Sequence, residues 1–350
     1  MHMADALLAP AVAGVMYVAS GTAAGVSVHK LRKDDEPQKL PVMAVTAALV
    51  FAGQMINYTI PGTGSSGHMC GGMMLSALLG PYAGFLSMVV ILAIQCLFFA
   101  DGGLMALGAN CWNMAFYGCF VGYFLIWRPI MRSKLFGEGK SAQRGRIILA
   151  SILGCVITLQ LGAFSVVLET TLSGITELPF KAFVALMQPI HLAIGLVEGL
   201  VTSAVLLFVN ESRPELLRDV SARPGESKRS LKAVVAILAV VALIVGGGLS
   251  LLASSNPDGL EWALFGNSEA GYSQNMGLDE EDYGKQSAAA DKAGAIQEST
   301  AFLPDYAFAS DGDNPAGTTV SGIVGAGMVA GVALLICFAG GFFRKKNSAK

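Results

Sequence analysis

Four histidines stand in the 350 residues, His2, His29, His68 and His191, and one of them is the second residue of the chain. A Met1-His2 start offers three nitrogens to one metal ion: the terminal amine, the His2 backbone nitrogen and the His2 ring nitrogen nearest the backbone. Amine and amide close a five-membered chelate ring; amide and imidazole close a six-membered one. One corner of the resulting plane stays vacant, and a second imidazole would fill it. Planar nitrogen sets suit nickel(II) and copper(II), with cobalt(II) also compatible. Deprotonating the amide needs a strongly bound metal. The competing reading leaves His2 as a terminal residue without a partner. His2 is not small, so methionine aminopeptidase is expected to leave Met1 in place, its amine free unless formylated. No Lys or Arg precedes the first apolar run, so signal-peptide cleavage is not expected.

His68 is the candidate fourth ligand. It lies in PGTGSSGHMCGG, where glycines permit sharp turns and close backbone approach; a hydrogen-bonded interfacial histidine is the alternative. His191 and Glu198 fall seven residues apart on one helical face in HLAIGLVEGLVTS, inside an apolar run. Ionisable groups there are functional candidates, and a His–Glu pair locking helices together is expected ahead of a second metal site. Asp101, in FFADGGLMALGANCWNMAF, and Asn110 and Asn113 beyond it could accept a hydrogen bond from an imidazole and orient it. Asp101 could equally cap a helix. His29, beside Lys30 and Arg32, receives no role. Met69, Met73, Met74 and Met114 read as core fillers rather than a copper path. The six cysteines include no CxxC pair and read as free packing residues, with no disulfide framework or zinc site.

The elements that must position these residues are apolar helices. The chain is 53% hydrophobic and 14% charged, whereas a soluble domain carries roughly a quarter charged residues. Its apolar runs match a hydrocarbon core of about 30 Å, which takes ~20 helical residues. The runs at 8–29, 41–58, 68–80, 82–100, 105–127, 147–168, 182–209, 231–253 and 321–343 predict nine spans. The third is short and Gly- and Met-rich, and a short helix at membrane depth is tolerated where it is buried or lines a cavity.

Charge supplies a check on the count. Of the 23 Lys and Arg, 20 fall in four clusters, around 30–39, 128–146, 213–232 and 344–350. With nine spans all four lie on one side, which the positive-inside rule makes the cytoplasm, leaving the N-terminus outside and the C-terminus inside. The segment 254–320 holds 12 of the 25 acidic residues and faces out. Its tract GNSEAGYSQNMGLDEEDYGKQSAAADKAGA has the composition of a flexible stretch, a solvated connection or a weak concentrator of cations. The expected organisation is an all-α polytopic membrane protein: a seven-helix unit over 1–210, a basic cytoplasmic linker over 211–230, and a two-span hairpin over 231–350.

The start MHMADALLAP, the stretches GTGSSGHMCGGMMLSALLGPYAG and QCLFFADGGLMALGANCWNMAF, and the helix HLAIGLVEGLVTS together resemble the CbiM/NikM family. These are substrate-binding membrane components of energy-coupling-factor cobalt and nickel importers in prokaryotic plasma or inner membranes. PDGLEWAL at 257–264 resembles the PDGLE, or CbiN/NikN-type, accessory component. The resemblance implies that Met1, His2 and His68 hold the transported Co2+ or Ni2+, with no permanent cofactor. It also implies partners in the membrane: ATPase subunits of the CbiO/NikO type and a coupling subunit of the CbiQ/NikQ type. Asp5 is followed by Ala6, where many members carry glycine, which touches the turn more than the ligands.

The chain itself is not expected to be an enzyme. Its nearest approach to a P-loop, FGEGKS, has Lys134 where the pattern requires glycine. A secondary transporter driven by an ion gradient, with His191 and Glu198 as a proton relay, is the competing class. Nucleic acid is not an expected partner.

Overall fold

The computed structural model describes residues 1–32, 39–174, 179–220, 227–271, 284, 287–312 and 314–347; for 39–40 and 336–347 it describes the backbone alone. The chain runs α1 (Pro10–Leu31), α2 (Lys39–Gln54), β1 (Tyr58–Ile60), β2 (Ser65–Gly67), α3 (Gly72–Leu79) and α4 (Pro81–Phe99). Next, α5 (Leu107–Asn110) passes through a π-wound stretch, Cys111–Trp127, into α6 (Arg128–Arg132) as one rod. There follow α7 (Lys140–Ser173), α8 (Phe180–Ser212), α9 (Leu231–Gly247), α10 (Gly259–Phe265), α11 (Ala288–Thr300) and α12 (Pro315–Asn347).

Among the described residues seven helices are long and apolar enough to cross a membrane: α1, α4, the α5–α6 rod, α7, α8, the α9 region and α12. Two of the nine expected spans fall short of that. The run 41–58 yields α2 of 16 residues and the run 68–80 yields α3 of 8 residues. The reason lies between them, where β1 and β2 pair antiparallel with Tyr58 opposite Gly67 and Ile60 opposite Ser65. Backbone spent on this hairpin is not available to helix. At 1.5 Å per residue α3 rises about 12 Å, and every one of its residues is buried.

Burial explains which face of each helix looks where. On α8 the buried stripe Met187, His191, Ile194, Glu198 and Thr202 repeats at helical spacing, while Leu192, Leu196, Leu200 and Val201 stand exposed. Apolar residues thus cover the outside and polar ones face in, as a hydrocarbon solvent demands. Helices α7 and α8 approach closely where Gly195 and Gly199 face Val156 and Ile152. A Cβ on either glycine would come within 2.8 Å of a Val156 or Ile152 Cα. This is the small-residue spacing that lets membrane helices pack backbone to backbone.

The connecting segments are packed in part, and one expectation about them is corrected. The basic linker 211–230 is packed in its first part: Pro214–Leu216 forms a 3-10 turn. Beyond it Arg218 N–H donates to Ala77 O at 2.8 Å, Trp127 Nε1 to Arg218 O at 3.0 Å and Tyr123 OH to Asp219 Oδ2 at 2.7 Å. Polar partners from two elements, α3 and the α5–α6 rod, hold it despite its loop-like composition. The tract expected to be flexible ends in α11, whose Ser287 cap accepts from Ala290 N–H at 3.1 Å. Alanine-rich sequence favours helix, and Gln297 and Thr300 donate to Cys96 O, Gly102 O and Leu97 O at the end of α4. Positions 272–283 and 285–286 lie outside the described residues.

The bundle therefore has two chemically distinct ends. One gathers Arg132, Asp219, Arg144 and Glu211. The other gathers the N-terminus, the β-hairpin, the end of α4, α10 and α11. Gly199→Leu is expected to force α7 and α8 apart at a cost of about 1–3 kcal/mol; thermal melting of purified protein in detergent, against the native chain, measures it.

Candidate metal centre

The N-terminal segment is sewn into the molecule by main-chain hydrogen bonds. Met3 N–H donates to Asn110 Oδ1 at 2.8 Å, Asn110 Nδ2 donates back to Met3 O at 3.2 Å, and Gly103 N–H also donates to Met3 O at 2.9 Å. Asp5 Oδ1 accepts from Ala106 N–H at 2.9 Å. A Cβ at position 103 would sit 1.8 Å from Asp5 Oδ1, so only glycine fits. Asn110 thus orients the backbone next to His2 and not an imidazole, contrary to expectation. Asn113 likewise meets no imidazole; its Nδ2 donates to Glu169 Oε2 at 2.8 Å.

The ammonium of the buried Met1 lies 2.6 Å from Asp258 Oδ2. Asp258 Oδ1 accepts from Leu260 N–H at 2.7 Å and Glu261 N–H at 3.0 Å, and Glu261 accepts from Asp258 N–H. One carboxylate oxygen therefore caps α10 and the other holds the amine. Burial acts to lower the amine pKa, but the charge and hydrogen bond of Asp258 outweigh it and raise it above 8.0. Burial would raise the Asp258 pKa; the ammonium beside it prevails and holds the carboxyl well below the usual range. The Asp258 charge in turn lifts Glu261 to about 7. Sequence reasoning missed Asp258 as a site residue. Its D-x-x-E spacing announced a capping box, but nothing in the sequence tied it to a group 257 residues away.

His2 and His68 stack with ring centroids 5.2 Å apart and planes 21° from parallel. Asp101 Oδ1 lies 3.1 Å from His2 Nδ1, and its Oδ2 accepts from Tyr306 OH at 2.5 Å. Asp101 thus meets the His2 ring at the nitrogen nearest the backbone. Burial lowers the His2 pKa against the opposing pull of Asp101. His68 Nδ1 lies 3.1 Å from Met69 O. Burial, then the nearby ammonium, lowers its pKa to about 3. A neutral ring that donates Nδ1–H keeps its lone pair on Nε2.

Glu198 and His191 do not pair with each other, which corrects the expected His–Glu lock. Glu198 Oε2 accepts from Cys70 N–H at 2.7 Å and Oε1 from Gly71 N–H at 2.8 Å. The buried carboxylate grips the loop just after His68, while Gln54 Nε2 donates to Cys70 O at 2.7 Å from the other side. Before His68, Ser66 N–H donates to Pro257 O at 2.9 Å. His68 is thereby fixed from α8, α2 and the segment leading into α10. Met1, His68, His191, Asp258 and Gly259 share the lining of a cavity of about 10 Å³, room for one water-sized body. Among the described residues, no three His, Cys, Asp or Glu side chains converge as a metal cluster; a site here needs the main-chain nitrogens of the first two residues.

Residues 2–216 match the family described as the cobalt uptake substrate-specific transmembrane region, and residues 232–340 match the PDGLE domain. A putative fused nickel transport protein NikMN of Archaeoglobus fulgidus is 39% identical over 241 residues, 69% of this chain and 75% of that one. The fused nickel transport protein NikMN of Rhodobacter capsulatus is 30% identical over 95% of this chain and 96% of its own. A crystal structure of a truncated transition metal transporter superposes with a TM-score of 0.52 at 31% identity, covering 60% of this chain and 99% of that one.

Asp258→Ala leaves a buried ammonium without its counter-charge, a loss of about 3 kcal/mol or more. Denaturation of the metal-free protein in detergent is expected to show that loss against the native chain.

Proposed function

From a chain that belongs to the cobalt-uptake substrate-specific transmembrane family, with a PDGLE domain joined behind it, we propose that Met1, His2 and His68 capture a single nickel or cobalt ion for import. The observation that carries this reading is the burial of the Met1 amine beside His68 in an ion-sized cavity. Amine, His2 amide and His2 imidazole supply three nitrogens and His68 the fourth. Planar nitrogen geometry favours nickel, so nickel is the first ion to test.

Capture requires two rearrangements. The amine loses its proton and parts from Asp258, and the His2 ring turns so that Nδ1 leaves Asp101 and closes the chelate. The charge balance suits Asp258 in both states. Before binding it faces one ammonium. Afterwards it faces a dication carrying one amide anion, which again sums to a single positive charge. Two protons leave as the ion enters.

Energy comes from outside the chain, in this reading, through separate ATPase subunits and a transmembrane coupling subunit. The capture end faces the outside of a prokaryotic plasma or inner membrane and the basic end faces the cytoplasm. A gradient-driven carrier is the alternative mechanism. Cells expressing the chain without ATPase partners should take up no more metal than controls; full uptake that collapses with the proton gradient would transfer the case to the carrier.

Two outcomes test the site directly. One residue added before Met1, or His68→Ala, is expected to abolish retention of nickel by purified protein, read by elemental analysis; the melting profile of the metal-free form stays near native in His68→Ala and falls in the extended chain, whose amine no longer meets Asp258. Native metal content in both would remove the proposed ligands. Calorimetric titration with nickel in buffers of different ionisation enthalpy is expected to report two protons released per ion. One proton would exclude the amide as a ligand.

A further inference from the structure

The cavity that Met1 and His68 line is also lined by a histidine outside the four-nitrogen set. His191 stands there on α8, 1% exposed, its Nδ1 2.8 Å from Met187 O one turn back. That bond places the proton on Nδ1 and the lone pair on Nε2. Nε2 is buried and has no hydrogen-bond partner among the described residues. A buried acceptor left unpaired costs free energy, which a hydrocarbon ring of the same size would avoid. Metal-binding histidines elsewhere are held by the same tie of Nδ1–H to an oxygen, and His68 makes it to Met69 O.

The surroundings keep this ring in the ion's space. A Cβ at Gly259 would lie 3.1 Å from His191 Cε1 and 2.7 Å from Ile190 Cγ2, so only glycine lets the start of α10 close over the ring. From His191 the helix continues toward the basic end, where Arg213 follows its last turn.

We propose that His191 Nε2 is a handover ligand, taking the ion from the amine end of the cavity while His68 keeps hold of it. This rests on the capture reading above. The exchange changes ligands only. His191 Nε2 bonds to the ion as the Met1 amine and His2 amide nitrogens leave it and recover protons from water; the oxidation state of the metal is untouched. His191 and His68 alone do not form a resident site, so the ion passes rather than stays.

The test combines radioactive nickel uptake by cells expressing the full chain and its transport partners with the nickel content of purified, untagged protein. His191→Phe keeps the bulk and removes the ligand; His191→Cys keeps a ligand and removes the bulk. Both are expected to hold native amounts of nickel. Maximal uptake should fall about tenfold or more in His191→Phe, at an unchanged half-saturating concentration, and recover in large part in His191→Cys. Native uptake in His191→Phe overturns the proposal. Equal loss of uptake in both variants also overturns it, because packing would then be the cause, and so does loss of bound nickel in both, which would make His191 a resident ligand. Failure of the capture reading looks different: His68→Ala would then keep its nickel whatever the His191 variants do.

Discussion

A buried positive charge at the beginning of the chain organises everything around it. Removing an ammonium from water is prohibitive unless an anion accompanies it, and Asp258 does so at 2.6 Å. Because Asp258 also caps α10, the position of the amine is tied to the whole segment between α9 and α12. The same constraint reaches the other element that matters. Ser66 hydrogen-bonds the backbone at Pro257, beside Asp258, so the loop bearing His68 and the carboxylate holding Met1 are placed against one another.

Around that pair the fold uses polar groups sparingly. Glu198, Asn110, Gln54 and Asp101 each hold main chain or an imidazole, and none is left to make an unspecific contact. In an apolar medium such bonds define geometry more firmly than apolar packing, because the unpaired alternative is costly. The short helix α3 follows from the same economy. Its residues are too few to span the bundle, and the non-helical stretch from His68 to Gly71 carries the chain the rest of the way, held at Cys70 and Gly71 by Glu198.

Much of this was legible in the residues. Apolar runs of span length marked the helices, and four histidines in an otherwise histidine-poor chain marked the chemistry. The placing of His68 on a glycine-rich connection also corresponds to what is observed. Local pattern gave less where partners came from afar. Asn110 and Glu198 were recognisable as polar groups in apolar runs, but their acceptors and donors are backbone groups, which no side-chain pattern encodes. The hairpin of Tyr58–Ile60 with Ser65–Gly67 fills the gap between two apolar runs whose helices, α2 and α3, stop short of it. Asp258 lay within a motif whose local role, capping, was complete without any distant contact, so nothing prompted a search for one.

The joining of the two units in one polypeptide has a consequence of its own. Asp258 reaches the amine, and Tyr306 reaches His2 through Asp101, from residues that follow the stretch matching the cobalt-uptake family. On a separate subunit these contacts would depend on how much of that subunit the membrane contained. Tethered, they face an effective concentration in the millimolar range for short flexible connections, and their stoichiometry is invariant. Every copy carries its own counter-ion to the site, whatever its level of expression.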